Sequence, residues 1–294
     1  GSSDSETLIE MISFFGVKRA LPKIKGMFAI SVWDTKENKL TLIRDRLGEK
    51  PLYYGWQNNS FIFGSELKSL QKFPGFRKDI DRGALALYLR YNSIPAPHSI
   101  FKNIYKLSPG AMISVGLDLK ENKEEFYWST IEEANIGKRE SFSGSYSSAV
   151  DALQFKLLDA VDSQMHADVP LGAFLSGGVD SSAIVALMQE QSSEKVKTFS
   201  IGFEEAEYNE AKYAKSVANH LGTDHHDMYV TSKDALNVVP LLPDMFDEPF
   251  ADSSQIPMYL VSKIAKSKVT VCLSGDGGDE LFGGYNRYLV ASKF

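Results

Sequence analysis

Two glycine-rich stretches that carry acidic residues constrain the fold of this 294-residue chain more than any other feature. The first, at 176–182, reads SGGVDSS, and the second, at 274–285, reads SGDGGDELFGGY. Each follows a short apolar run, as expected where a buried strand ends in a turn. Glycine permits tight turns, and acidic side chains rarely pack in a core. We therefore expect both stretches to lie at strand ends, open to solvent or to a ligand.

The second half of the sequence alternates between strand-like and helix-like segments. The predicted strands are 172–175, 196–203, 225–230 and 269–273, and the predicted helices are 181–191, 209–221 and 256–265. This alternation predicts an α/β fold with a parallel sheet flanked by helices. Because ligands bind at the carboxyl ends of strands in such sheets, both glycine-rich stretches are expected at one edge.

The first half is rich in strands that follow one another closely, which favours antiparallel sheet. The predicted strand pairs are 27–33 with 40–44, and 51–56 with 60–64. A stretch at 137–148 is rich in Ser and Gly and reads as a linker. We predict a first domain at 1–128, a linker at 129–147 and a second domain at 148–294.

Composition excludes several classes of function. The net charge of −6 and the scattered Lys and Arg residues give no basic surface for nucleic acid or for an anionic membrane. The single cysteine, Cys272, cannot form an internal disulfide, and no apolar run reaches the roughly 20 residues that span a bilayer. We expect a cytoplasmic protein. Since the chain starts at Gly1 and ends in an apolar segment, we also expect a fragment.

The first glycine-rich stretch has the features of an anion-binding turn. Its Ser and Asp residues stand where a helix begins, and a helix N-terminus favours phosphate. The stretch lacks the Gly-Lys-Ser/Thr ending of a Walker A loop and the spacing of a dinucleotide fingerprint. Neither γ-phosphoryl transfer nor NAD binding is therefore indicated. A plain strand–turn–helix connection remains an equal alternative.

The second stretch places Asp276, Asp279 and Glu280 among five glycines. Magnesium prefers oxygen ligands, commonly one or two carboxylates together with phosphates. If the two stretches share one sheet edge, Asp180 and Asp279 can converge on one ion. A solvated Gly/Asp loop is the alternative.

These motifs resemble a known family. SGGVDSS resembles the pyrophosphate loop of ATP pyrophosphatases, and its pairing with SGDGGDELFGGY resembles the synthetase domain of the glutamine-hydrolysing asparagine synthetases. Further segments resemble the synthetase domain in the family's order: 199–203, 217–226 and 257–260. Upstream segments resemble the back part of the family's glutaminase domain: 26–29, 44–55 and 64–68. The resemblance implies an adenine nucleotide alpha-hydrolase-like (PP-loop) domain, preceded by part of an antiparallel αββα Ntn-hydrolase-type domain.

The resemblance also implies roles for individual residues. Pyrophosphate would be bound by Ser176, Gly177, Gly178, Asp180, Ser181 and Ser182. Adenine would lie near Phe174, Leu175, Ile201, Ser274 and Gly275. Magnesium would be held by Asp180 and Asp279, and Asp276 would contact the acceptor. These three residues form the expected catalytic set. Asp4 matches a residue that contacts glutamine.

The implied reaction is ATP-dependent amidation of a carboxylate. The carboxylate attacks the α-phosphate, pyrophosphate leaves, and ammonia from glutamine displaces AMP; the family's acceptor is aspartate and its product asparagine. ATP and Mg²⁺ are the implied cofactors, and a homodimer is a candidate assembly. A different acceptor (a sugar acid, a peptide or a β-lactam precursor) stays open because 251–255 lacks an Arg found in some relatives. A non-catalytic nucleotide-binding scaffold is a further alternative.

The chain departs from the family at the glutaminase nucleophile. The family uses an N-terminal Cys, whereas this chain begins with Gly1 and its only cysteine lies in a predicted strand. This chain by itself is therefore not expected to hydrolyse glutamine.

Two further groups are interpreted as structural. His225 and His226 are adjacent, so their side chains point to opposite faces of a strand and make a poor metal pair. Four acidic residues surround Pro249, and we interpret them as a solvated loop, with contact to the acceptor as the alternative: Asp244, Asp247, Glu248 and Asp252.

Overall fold

The computed structural model describes residues 3–117, 123–203 and 209–291, and the chain divides into two compact units. The N-terminal unit consists of Gly1–Ser141 together with Pro243–Ala251, and the C-terminal unit consists of Phe142–Leu242 and Asp252–Phe294. The sequence did not predict that Pro243–Ala251 belongs with the first part of the chain. The stretch interpreted as a linker contains a helix, Thr130–Arg139. The domain boundaries derived from the sequence stay a prediction.

The N-terminal unit contains two antiparallel sheets, with strand orders β1-β2-β6-β7 and β4-β3-β5. Its strands are β1 (Ala29–Asp34), β2 (Lys39–Arg44), β3 (Tyr53–Gln57), β4 (Ser60–Gly64), β5 (Ile104–Lys106), β6 (Ala111–Gly116) and β7 (Glu125–Phe126). Its helices are α1 (Asp4–Phe15), α2 (Val17–Ala20), α3 (Leu67–Leu70), α4 (Arg82–Tyr91) and α5 (Thr130–Arg139). A short 3-10 helix, Leu21–Lys23, follows α2.

Local chemistry explains the hairpins. Between β3 and β4, Asn58 and Asn59 both have positive φ angles, of 47° and 62°. Two such residues form the turn whose twist matches that of paired strands, and Asn tolerates this region better than most residues. Between β1 and β2, the Asp34 carboxylate accepts hydrogen bonds from the backbone N–H groups of Lys36 and Glu37. The predicted strand pairs of this half are thus present as antiparallel hairpins.

The C-terminal unit is built on a four-stranded sheet of order β10-β9-β8-β11, in which every neighbouring pair is parallel. Its strands are β8 (Leu171–Phe174), β9 (Lys197–Phe203), β10 (Asp224–Val230) and β11 (Val271–Leu273). The helices from here onward are α6 (Tyr146–Met165), α7 (Val179–Gln191), α8 (Ala211–Leu221), α9 (Ser232–Val238), α10 (Leu242–Met245), α11 (Gln255–Lys266), α12 (Gly278–Phe282) and α13 (Asn286–Ala291). A 3-10 helix, Val239–Leu241, precedes α10.

Helices cover this sheet and complete its core. One hydrophobic cluster includes Ala173, Val185 and Ala214, and a second one includes Phe199 and Val261. The predicted fold class, α/β with a parallel sheet flanked by helices and preceded by antiparallel sheet, is confirmed. Because β8 and β11 are parallel neighbours, both glycine-rich stretches begin at the same edge of the sheet. Within the described ranges, no helix combines the length and the apolar character that a membrane crossing requires.

Candidate functional site

The first glycine-rich stretch joins β8 to α7 through a turn that only glycine fits. Gly177 has a φ of +84°, and a Cβ atom there would lie 2.6 Å from the backbone nitrogen of Ala214. The Ser176 and Gly178 N–H groups donate to the hydroxyls of Ser181 and Ser176, both at 3.2 Å. The two hydroxyls also hydrogen-bond to each other at 2.9 Å. The stretch therefore brings backbone N–H groups and hydroxyls together at the start of α7, as an anion site requires.

The second glycine-rich stretch, which joins β11 to α12, lies directly against the first. A Cβ atom on Gly275 would lie 2.7 Å from the backbone nitrogen of Ser181, and one on Gly278 would lie 2.5 Å from Cγ of Asp180. Real Cβ atoms do not approach other atoms so closely, so the absence of side chains allows the two turns to touch. Asp279 follows Gly278 directly, so its backbone is fixed beside the Asp180 carboxylate.

A cavity of about 850 Å³ opens where the two turns meet, entirely within the C-terminal unit. Eleven of the residues named from the sequence line it: Phe174, Leu175, Ser176, Gly178, Asp180, Ser181, Ile201, Ser274, Gly275, Asp276 and Asp279. Gly177 and Ser182 are not among its lining residues. Asp4 belongs to the N-terminal unit, where its exposed carboxylate accepts a hydrogen bond from the Ser5 N–H at the start of α1.

The cavity carboxylates are little engaged by the protein. Asp276 accepts a hydrogen bond of 3.0 Å from the Ser274 hydroxyl. Across the described residues, no Lys or Arg forms an ion pair with Asp180 or Asp279. No cluster of three or more metal-binding side chains occurs in that part of the chain either. Two carboxylates suit an ion that takes its other ligands from phosphate and water, which is the usual situation of Mg²⁺.

One buried hydroxyl in the first turn of α7, that of Ser182, has no partner among the described residues. Ser182 Oγ is buried, and it makes no hydrogen bond to any of the described residues. Such a group costs free energy unless a ligand or water satisfies it. Ser182 does not line the cavity, so the groups that can face an anion there are those of Ser176, Gly178 and Ser181 at the start of α7.

The sequence did not single out several cavity-lining residues. Ser254, Pro257 and Met258 come from the first turn of α11 and its N-cap, and Glu210 comes from the residue before α8. Ser200 lies between Phe199 and the predicted Ile201 on β9. For Ser254, Pro257 and Met258, the sequence offered one indication, the predicted helix at 256–265. Only the packing of α11 over the sheet shows that its first turn faces the cavity.

The histidine pair has the structural role that the sequence indicated. The His225 ring hydrogen-bonds Thr198 Oγ1 at 2.9 Å and Ser200 Oγ at 3.3 Å, and His226 stacks on Phe199 with ring centroids 5.5 Å apart. Burial lowers the pKa of His225, which favours the neutral ring. His225 thereby fixes the hydroxyl of the cavity-lining Ser200.

The interpretation of the acidic residues around Pro249 as a solvated loop is wrong for two of the four. The side chains of Asp247 and Glu248 are only 12% and 9% exposed. Asp247 accepts hydrogen bonds from the N–H groups of Leu67 and Lys68, and Glu248 accepts one from Ile100. Asp244 and Asp252 are exposed, as predicted. The buried acids find backbone partners that are distant in sequence, which a local pattern does not reveal.

Comparison with known proteins agrees with this architecture. The asparagine synthase family model matches residues 152–293, and the glutamine amidotransferase domain model matches residues 1–128. A protein of Methanocaldococcus jannaschii, provisionally named glutamine-hydrolyzing asparagine synthetase 2, is 39% identical over 98% of this chain and 55% of its own length. Asparagine synthetase 1 of Bacillus subtilis, also named glutamine-hydrolyzing, is 36% identical over 98% of this chain and 44% of its own length.

The chain thus spans about half the length of the curated relatives it matches. The glutamine amidotransferase match lies within the N-terminal unit, and the asparagine synthase match contains both glycine-rich stretches. Residues 1–128 of the chain thus match a glutamine amidotransferase domain and residues 152–293 match an asparagine synthase domain, in an order shared with relatives named glutamine-hydrolyzing asparagine synthetases.

Proposed function

We propose that the C-terminal unit binds Mg²⁺-ATP in the 850 Å³ cavity and activates a carboxylate by adenylation. The observation that carries this proposal is the contact between the two glycine-rich turns. That contact places Asp180 and Asp279 on the wall of one cavity, beside the N-terminus of α7. A phosphate chain and a cation need this combination of donors and carboxylates.

In this proposal each group of cavity residues has one task. The N–H groups and hydroxyls of Ser176, Gly178, Ser181 and Ser182 bind the pyrophosphate part of ATP, and Gly177 permits the turn. The adenine ring lies on Phe174, Leu175, Ile201, Ser274 and Gly275, where the wall is largely apolar or backbone. Asp180 and Asp279 hold Mg²⁺, which supplies positive charge to the leaving pyrophosphate. Donors that are fixed in advance stabilise charge that develops during reaction without having to reorganise.

The acceptor is proposed to be aspartate, activated as an acyl-adenylate and converted to asparagine by ammonia derived from glutamine. Asp276 would contact the acceptor, and Asp4 would bind the glutamine α-amino group. The names of the two relatives support this assignment, since they describe glutamine-hydrolyzing asparagine synthetases. A homodimer and a cytoplasmic location stay predictions.

Product analysis of the full-length protein tests the proposal. With Mg²⁺-ATP, aspartate and ammonium, we expect AMP, pyrophosphate and asparagine in equal amounts. Release of ADP and phosphate would contradict adenylation. Pyrophosphate release with a sugar acid or a peptide, but none with aspartate, would support adenylation and show that the acceptor is not aspartate. Nucleotide binding without turnover of any carboxylate would favour a non-catalytic scaffold.

A further inference from the structure

The segment Pro243–Ala251 is the one part of the later sequence that joins the N-terminal unit, and its acidic residues attach it there. Asp247 accepts hydrogen bonds from the first two N–H groups of α3, at 2.6 Å from Leu67 and 3.2 Å from Lys68. The negative charge also suits the positive end of the helix. We call Pro243–Ala251 the anchor segment.

Glu248 is the most deeply engaged residue of the anchor segment. One carboxylate oxygen accepts a hydrogen bond of 2.8 Å from the Ile100 N–H. The other forms an ion pair with Lys106, whose ammonium group also donates to the carbonyl of Ile94. The side chains of Glu248 and Lys106 are 9% and 16% exposed. A pair this buried is costly to break, because removal of one partner leaves an uncompensated charge.

The environment of Tyr53 supports the same picture. Its hydroxyl approaches Glu248 at 3.5 Å, and burial together with the negative charge of Glu248 raises the pKa of the phenol. The Ala251 N–H donates to the carbonyl of Asn92 at 2.9 Å, which fixes the last residue of the segment. The anchor segment is therefore held along its length and at its C-terminal end.

The chain that leaves the anchor segment leads at once to the nucleotide cavity. Asp252 follows Ala251, and hydrogen bonds from the Ser254 hydroxyl and from the Ser254 N–H lower the pKa of Asp252. Ser254 is the N-cap of α11, and Ser254, Pro257 and Met258 line the cavity. Only two residues separate the fixed Ala251 from the cavity wall.

From this connection we propose that Glu248, Lys106 and Asp247 are positioning residues for the nucleotide cavity. By holding the anchor segment, they fix Ala251, from which the chain continues through Asp252 and Ser253 to the N-cap of α11. The inference rests on the proposed nucleotide site, but it concerns residues that belong to the N-terminal unit and do not line the cavity. Because coupling is reciprocal, ligand binding in the cavity should in turn stabilise the anchor segment.

The positioning role can be tested by equilibrium binding of α,β-methylene-ATP, a non-cleavable ATP analogue, with Mg²⁺ to the full-length protein. We expect Lys106→Met to weaken binding by about three- to tenfold, because coupled positions typically change an interaction by this amount. The same variant should lower the Tm by about 5 °C or more, since it leaves Glu248 buried without its partner. Glu248→Gln combined with Lys106→Met should recover part of both losses.

The matched control is Glu125→Gln, which removes one partner of the exposed Lys18–Glu125 ion pair in the same unit. We expect this control to leave both the Kd and the Tm unchanged, because exposed pairs contribute little. If Lys106→Met lowers the Tm while the Kd of the folded protein stays at the parent value, the residue is structural only and the inference is overturned. If the parent protein itself fails to bind the analogue, the proposed nucleotide site fails instead.

Discussion

Two acidic segments of this chain resemble each other in sequence and differ in structure. Residues 244–252 and 276–280 both combine several carboxylates with Pro or Gly. In the first, the oxygens of Asp247 and Glu248 are occupied by backbone N–H groups and a buried lysine. In the second, Asp276 and Asp279 line a cavity. The difference teaches that the partners of a carboxylate, and not the local composition, decide whether it stabilises the fold or remains available to a ligand.

The largest expected effect is on activity, at the Asp180 carboxylate of the first glycine-rich stretch, which lies beside Gly278 of the second segment. Asp180→Ala should reduce pyrophosphate release by about 100-fold or more, since it removes a charge that the reaction needs. Its Tm should change little, because no protein cation among the described residues depends on Asp180. Parallel measurement of turnover and thermal unfolding checks this. A large drop in Tm would show that Asp180, like Glu248, stabilises the fold.

The opposite response is expected in the anchor segment. Asp247→Asn keeps the shape of the side chain but weakens its two hydrogen bonds to α3, so the free energy of unfolding should fall by about 1–3 kcal/mol. Urea unfolding of the variant measures this loss. Asp244→Asn, an exposed neighbour in the same segment, serves as the control and should lie within about 0.5 kcal/mol of the parent. An equal loss of unfolding free energy in both variants would contradict the distinction between the buried Asp247 and the exposed Asp244.

The smallest effect concerns pH and the strand beside the cavity. Burial lowers the pKa of His225 in the folded protein, so the unfolded chain binds the proton more readily. Stability from this group is therefore complete above its unfolded pKa of about 6.5 and decreases as the pH falls below that value, by at most about 1.4 kcal/mol per pH unit. Urea midpoints between pH 7.5 and 5 should show this slope in the parent.

His225→Gln should flatten that slope, since glutamine does not titrate. The control is His166→Gln, because His166 has a side chain that is 77% exposed and should keep the parent slope. An unchanged slope in His225→Gln would assign the pH dependence to another group. Besides burial, the groups that shift the pKa of His225 are Asp227, which raises it, and Lys215 and His226, which lower it.

The sequence predicted those parts of the structure that depend on neighbours along the chain. The alternation of apolar runs and helical segments predicted the parallel sheet, and the position of each glycine-rich stretch after a strand predicted their common edge. The roles of the site residues, including Asp180, Asp276, Asp279 and Asp4, stay predictions that the variants above can test.

Other parts depended on contacts between distant segments. No local pattern marks Asp247 as the partner of the Leu67 N–H group, since every residue except proline carries such a donor. For the same reason the placement of Pro243–Ala251 in the N-terminal unit was not predicted. The contribution of Ser254 and Met258 to the cavity depended on how α11 packs over the sheet, which helical periodicity alone does not determine.

The close approach of Gly278 to Asp180 limits how this site can change during evolution. A single methyl group at position 278 would push the two strand tips apart, so substitutions there cannot adjust the chemistry in small steps. The first turn of α11 lines the same cavity with ordinary side chains, which can vary without disturbing that contact. New acceptor preferences within such a scaffold should therefore arise by changes near Ser254 and Met258, while the glycine turns stay constant.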